Sequence, residues 1–152
     1  MERIMTDGQS NSPDVVFTPA ELEYIQSQRL ARIATVGANG QPHVTPVAFH
    51  YDPQTHQIYV GGHGDFTTRK KWHDVQENPQ VALVIDDIAS VNPWKVRGIE
   101  IRGTAEPVLT GGQQINPTFG PAMLRITPRR VVGWGLDTEI YTPPNSRSVN
   151  VG

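Results

Sequence analysis

The stretch KVRGIEIRGTAEPVL, residues 95–109, alternates over a length that few architectures accommodate, and it carries Gly98 and Gly103 inside the alternation. A half-buried strand has a side-chain period of two, and interior glycines mark the bends or bulges that let a long strand coil around a closed sheet. The rest of the chain supplies partners for such a strand. RLARIATVGANGQPHVTPVAFHYDPQTHQIYVGG, from Arg29, reads as a β-meander with a hairpin tip at Asn39-Gly40. VALVID is a buried strand, DDIASVNPW a loop, and AMLRI and RRVVGWGL two closing strands separated by TPR. FTPAELEYIQSQ reads as a short helix, with Thr18, Pro19 and Glu21 as the N-cap, N1 and N3 positions of a capping box. A second short helix begins near TTRKKWHDVQENP, where Thr67 or Thr68 is the candidate cap and Pro79 the stop. No regular βαβ alternation exists, so the expectation is six or seven strands in a closed or partly closed antiparallel barrel, which leaves few bare edges.

Length and composition bound the rest. The 152 residues suffice for one ordinary domain, taken as residues 17–140 between flexible tails at 1–16 and 141–152. A formal net charge of −2 argues against nucleic-acid binding. The absence of cysteine removes thiolate and disulfide chemistry and fits a reducing cytoplasm. No apolar run approaches a bilayer span, and the N-terminus shows no secretory h-region, so neither a membrane nor export is expected. No G-x-S-x-G elbow or P-loop occurs, and GGHGDFT lacks the third glycine of a dinucleotide fingerprint. The five histidines have no metal-ligand spacing, so no metal is expected.

One local feature runs against helix physics. Arg69, Lys70 and Lys71 sit where the second helix begins, the end already carrying partial positive charge, where each cation is unfavourable by about 0.3–1 kcal/mol. A solvated basic surface paired with Asp65, Asp74 or Glu77 is one account. The other is a phosphate, toward which helix N–H groups, threonine hydroxyls and cations would all contribute favourably. The glycine-rich GGHGD just before gives such a molecule room to approach the backbone. VTPVAFH, a strand interrupted by Pro46, offers unpaired backbone groups to the polar edge of a planar ring. Pro46 itself should lie at a bulge, strand end or edge. His50 and His63 are candidate proton partners, Trp72 reads as core, and Trp94 in its loop is a candidate cap for a cavity or a partner subunit.

GANGQPHVTPVAFHYD, IYVGGHGDFTTRKKWHDVQENPQVALVIDD, NPWKVRGIEIRGTAE and FGPAMLRITPRRVVGWGLD, taken in series, resemble the pyridoxamine 5′-phosphate oxidase-like split-barrel proteins, in particular the coenzyme F420 (deazaflavin) dependent oxidoreductases among them. The resemblance spans residues 17–137. It implies a mainly β (α+β) chain, a six-stranded antiparallel split β-barrel of the FMN-binding type with short flanking helices. It also implies a homodimer with cofactor sites at the subunit interface and a small-molecule substrate. Carried over by position, Thr45, Pro46, Val47 and Ala48 contact the ring, Gly61 and Gly62 line the cofactor, and Arg69 and Lys71 grip its phosphate; Trp94, from its place in the loop, is added as a candidate cofactor contact. Lys70 is left to solvent or a tail contact. The implied cofactor is coenzyme F420, with FMN the alternative, and the implied activity is hydride transfer to an organic substrate. A flavin reductase or oxidase of the same fold and a non-catalytic cofactor-binding protein are the rivals. His50 replaces the substrate-phosphate lysine of the vitamin B6 oxidases, and their C-terminal arginine- and tryptophan-bearing segment has no counterpart, which argues against vitamin B6 oxidation.

Overall fold

The structure, a computed structural model, describes residues 15–138 and 142–151. The expected N-terminal tail therefore lies almost wholly outside the described residues. Helix α1, Pro19–Ser27, opens on the expected capping box: Thr18 Oγ1 accepts from the Glu21 backbone N–H at 3.1 Å, and the Glu21 carboxylate accepts from the Thr18 N–H at 2.9 Å. Strands β1 (Leu30–Val36), β2 (Pro42–Tyr51) and β3 (Ile58–His63) form the meander. Helix α2, Lys70–Glu77, follows a single 3-10 turn at Phe66–Thr68, and then come β4 (Gln80–Ser90), β5 (Lys95–Val108), β6 (Phe119–Trp134) and β7 (Asn145–Ser148).

The strand order is β3-β2-β1-β4-β5-β6-β7, and an added β3–β6 pairing closes six of these strands into an antiparallel barrel. Strand alternation sends Ile33, Leu83, Ile85, Ile99, Ile101, Leu124 and Ile126 into one shared core with no exposed surface. Trp72 and Val75 bury the inner face of α2 against it.

Three elements differ from the sequence reading. The segment DDIAS continues β4 instead of opening a loop, and Asp86 and Asp87, on opposite faces of the strand, each find a cation: Arg32 at 2.6 Å from Asp86 and Arg97 at 2.8 Å from Asp87. The two closing strands are one, since the TPR segment stays in register with β5 through a bulge. Arg102 pairs with Arg130 while Gly103 pairs with Pro128, which leaves Arg129 as the extra residue. The bulge explains Gly103, where an added Cβ would lie 2.2 Å from the Thr127 carbonyl oxygen. Gly103→Ala is expected to cost about 1–3 kcal/mol through this overpacking, read as a lowered Tm in thermal unfolding. Third, the C-terminal segment set down as a tail supplies β7, paired with β6 from Asn145–Gly133 to Ser148–Arg130.

Candidate functional site

The barrel splits where β2 loses its second neighbour. Strand β2 pairs with β1 along Pro42–Ala48, whereas its pairing with β3 covers only Phe49–Tyr51. Strand β3 pairs with β6 along its whole length, from Ile58 to His63, so beyond Val60 β6 is its one strand partner, and its register with β6 slips between Gly61 and His63. Pro46, paired with Arg32 of β1, thus lies on a stretch of β2 that has one free edge, one of the places a residue without an N–H is tolerated. A cleft of about 350 Å³ opens between the diverging strands, with the start of α2 at one end.

Its walls bring together most of the residues singled out from the sequence: Pro46, Val47 and Ala48 from β2, Gly61, Gly62 and His63 from β3, and Arg69 and Lys71 from the start of α2. Leu30, Phe66 and Phe119 complete the lining, and none of the three was anticipated. Their signal was hidden because a cleft wall and a core position call for the same apolar side chains. Gly62 keeps the cleft open over Phe66, as a Cβ on it would come 3.2 Å from that ring.

Three expected residues lie elsewhere. His50 is exposed on β2 beside Tyr59, at a ring separation of 6.4 Å. Trp94 closes the β4–β5 turn, is 51% exposed and does not line the cleft. Thr45 adjoins the cleft wall without lining it, and its buried hydroxyl has no hydrogen-bond partner, an exception among buried polar atoms.

The three cations at the start of α2 divide by role. Lys70 is held by the protein, its Nζ 2.8 Å from Asp74, a buried carboxylate that also accepts from the Thr35 hydroxyl at 2.7 Å. These bonds keep the Asp74 carboxyl below the usual range although burial alone would raise it. They also tie α2 to β1. Among the described residues, neither Arg69 nor Lys71 has a carboxylate partner. Arg69 donates to the His63 carbonyl at 2.8 Å, and Lys71 lies 5.6 Å from the centre of the Phe66 ring. Burial, and then the neighbouring Arg69 charge, push the Lys71 pKa down.

The threonines play a different part from the one expected. Asp65 accepts from the Thr67 N–H at 3.0 Å, and the Thr68 hydroxyl donates to the Asp65 carbonyl at 2.8 Å. Both thus serve the 3-10 turn, Arg69 takes the N-cap position of α2, and no side chain caps the helix. At one end of the cleft stand the Arg69 guanidinium and the half-buried Lys71 ammonium, neither with a carboxylate partner among the described residues, beside the start of a helix that no side chain caps, while an open strand edge forms a side wall. This donor set suits a phosphate-bearing planar ligand: Arg69 and Lys71 would hold the anion, and Pro46–Ala48 with Gly61 and Gly62 would flank the ring. Among the described residues no group of His, Asp or Glu could hold a metal ion, and no helix is long and apolar enough to cross a membrane.

A closed antiparallel barrel split beside a basic helix start defines the class of split-barrel proteins. Residues 17–135 match the family described as pyridoxamine 5′-phosphate oxidase, and the chain belongs to that family. A 5a,11a-dehydrotetracycline/5a,11a-dehydrooxytetracycline reductase of Streptomyces rimosus subsp. rimosus is 38% identical over 133 residues, which cover 88% of this chain and 93% of the relative. The barrel is also similar to a putative pyridoxamine 5′-phosphate oxidase of Listeria innocua, with a TM-score of 0.57, 18% identity and coverage of 74% of this chain and 94% of that one. The HutZ heme storage protein of Vibrio cholerae is similar too, with a TM-score of 0.59, 15% identity and coverage of 78% and 94%. At such identities these two structures speak to fold alone.

Proposed function

We propose that this protein is an oxidoreductase that holds a phosphate-bearing flavin-type cofactor in the β2–β3 cleft, coenzyme F420 in preference to FMN, and that hydride passes there between cofactor and a small organic substrate. The observation that carries the reading is the pair Arg69 and Lys71, cations without carboxylate partners among the described residues, at an uncapped helix start beside the cleft that both line. The reductase relative supports the reaction class, and its substrate's name places an unsaturation between positions 5a and 11a. We extend that to a substrate class here: conjugated organic molecules with a reducible C=C bond. The proposal includes a homodimer, supported by Leu30 and Val44, 49% and 65% exposed on the strands that flank the cleft.

When bound, the cofactor supplies the hydride chemistry; the protein supplies position and electrostatics. Arg69 and Lys71 bind the phosphate, the Pro46–Ala48 edge orients the ring, and Phe66 and Phe119 keep water from one side. No nucleophile or acid–base triad is required for such a division of labour.

Separate titrations of the purified protein with coenzyme F420 and FMN, followed by fluorescence, test the reading. A smaller dissociation constant for the deazaflavin is expected. Tighter FMN binding would replace the cofactor while keeping the anchor, and binding of neither would refute both. Bound cofactor without turnover of any acceptor would leave a carrier in place of an enzyme. A phosphate ligand should also raise the depressed Lys71 pKa, since the anion favours the charged ammonium. Binding at alkaline pH is therefore expected to take up protons and to weaken as pH rises. Calorimetric titrations in buffers of different ionisation enthalpy measure that uptake, and a heat independent of buffer would contradict it.

A further inference from the structure

The cleft contains one titratable ring whose hydrogen can be placed by logic. The Thr118 backbone N–H, which can only donate, lies 2.9 Å from one end of the Asn116 side-chain amide and so identifies that end as Oδ1. The Thr118 hydroxyl oxygen is 2.7 Å from the same Oδ1. An amide oxygen only accepts, so the hydroxyl proton points there. Toward His63, Thr118 Oγ1 then has only lone pairs to offer, and it lies 3.2 Å from His63 Nδ1. The Thr118 carbonyl oxygen, also an acceptor only, is 3.3 Å from the same nitrogen. Nδ1 must therefore carry a hydrogen, and in the neutral ring Nε2 must not.

The ring and its backbone are held from two further directions. Phe119 packs edge-on against the imidazole at a centroid distance of 4.8 Å, and Arg69 holds the His63 carbonyl at 2.8 Å. Nε2 has no partner among the described residues, and the exposed His63 lines the cleft. His50 has no comparable anchoring on an acceptor pair and lies outside the cleft.

We propose that His63 is the proton-transferring residue of this cleft, and that Asn116 and Thr118 are positioning residues that commit Nδ1 to the protein and Nε2 to the substrate. The inference rests on the oxidoreductase reading above. Saturating a polarised C=C bond takes a hydride at one carbon and a proton at the other. The hydride, with both electrons, comes from the reduced cofactor, which is oxidised. The proton comes from Nε2–H of the imidazolium form of His63: the N–H electron pair stays on the ring, a C–H bond forms on the substrate, and a neutral imidazole protonated at Nδ1 remains. Solvent restores the Nε2 proton at the exposed ring. In the direction of oxidation, the bare Nε2 accepts that proton instead.

Two measurements on the protein test this. In cofactor-free protein, long-range 1H–15N correlation spectra of the neutral ring should show His63 Nδ1 as the protonated, pyrrole-type nitrogen and Nε2 as the pyridine-type one. Thr118→Val, which removes the hydroxyl acceptor and keeps the backbone carbonyl, should weaken that preference. With a conjugated enone as acceptor, His63→Gln should turn over about 10²–10⁴ times more slowly while its cofactor dissociation constant stays at the wild-type value. A wild-type ring protonated at Nε2 in the neutral form, or undiminished turnover by His63→Gln, would overturn the assignment. Failure of the wild type to bind any flavin-type cofactor would sink the parent reading and this one together, whereas normal binding with undiminished His63→Gln turnover sinks the proton role alone.

Discussion

Replacing both Arg69 and Lys71 by alanine should weaken binding of the phosphate-bearing cofactor by roughly 10²–10⁴-fold, since each hydrogen bond to a charged group contributes about 1.5–3 kcal/mol. The same variant should keep its fold, and its cofactor-free Tm should be unchanged or slightly higher. Among the described residues Arg69 and Lys71 have no carboxylate partner to lose, and each cation near a helix N-terminus is unfavourable by about 0.3–1 kcal/mol. The Arg69 bond to the His63 carbonyl, on an exposed surface, offsets part of that gain. Fluorescence titration beside thermal unfolding separates the two effects. A large fall in Tm would mean that the cations hold the fold together, and unchanged affinity would mean that they do not hold the anion. Lys70→Ala is the contrasting case, because it leaves Asp74 buried without its ammonium partner and acts on stability before affinity.

Arg147→Ala should cost about 3–5 kcal/mol, the usual consequence of leaving a buried charge uncompensated. Glu21 has no exposed surface, yet it must present a carboxylate to complete the α1 capping box. Arg147 on β7 answers it with both terminal nitrogens, one 3.1 Å from Glu21 Oε2 and the other bonded to Oε1, and the latter also donates to the Val16 carbonyl at 2.7 Å. In a chain of this size the loss corresponds to a Tm lower by roughly 6–20 °C. Pairing Arg147→Met with Glu21→Gln removes both charges while an amide oxygen remains for the Thr18 N–H, so much of the loss should return. If Arg147→Ala unfolds at the wild-type temperature, β7 does not clamp α1 to the barrel.

These two ion sites show what kind of information a linear reading misses. Thr18, Pro19 and Glu21 announce the start of α1 because a cap is a local arrangement of neighbours, and the structure places each hydrogen bond where the spacing predicts. That the same Glu21 requires an arginine from the far end of the chain is a long-range fact, and NSRS in isolation reads as tail. Read along the chain, TPR separates two strands, since proline is unusual inside a ladder, whereas in the structure the bulge at Arg129 lets the pairing of β6 with β5 continue past Pro128. Asp86 and Asp87 read as loop for a similar reason, their partners on β1 and β5 being invisible along the chain.

The cleft was legible in outline. Its backbone-rich walls, Pro46–Ala48 and Gly61–Gly62, and its cations Arg69 and Lys71 stood out because each departs from local expectation: a proline within a strand, adjacent glycines, positive charge at the wrong helix end. Phe66, Leu30 and Phe119 did not, since nothing local distinguishes a cleft wall from core.

By itself the sequence determined the alternating strands, the capped first helix, the cluster of positive charge ahead of Trp72 and membership of the pyridoxamine 5′-phosphate oxidase family, all properties of short-range pattern. Tertiary structure alone decided where β3 leaves β2 to open the cleft, which lysine Asp74 claims, and which histidine enters the cleft with its Nδ1 on Thr118. Those outcomes depend on which groups meet across the barrel, and hydrogen bonds and ion pairs act only over a few ångströms once the strands have brought their partners together.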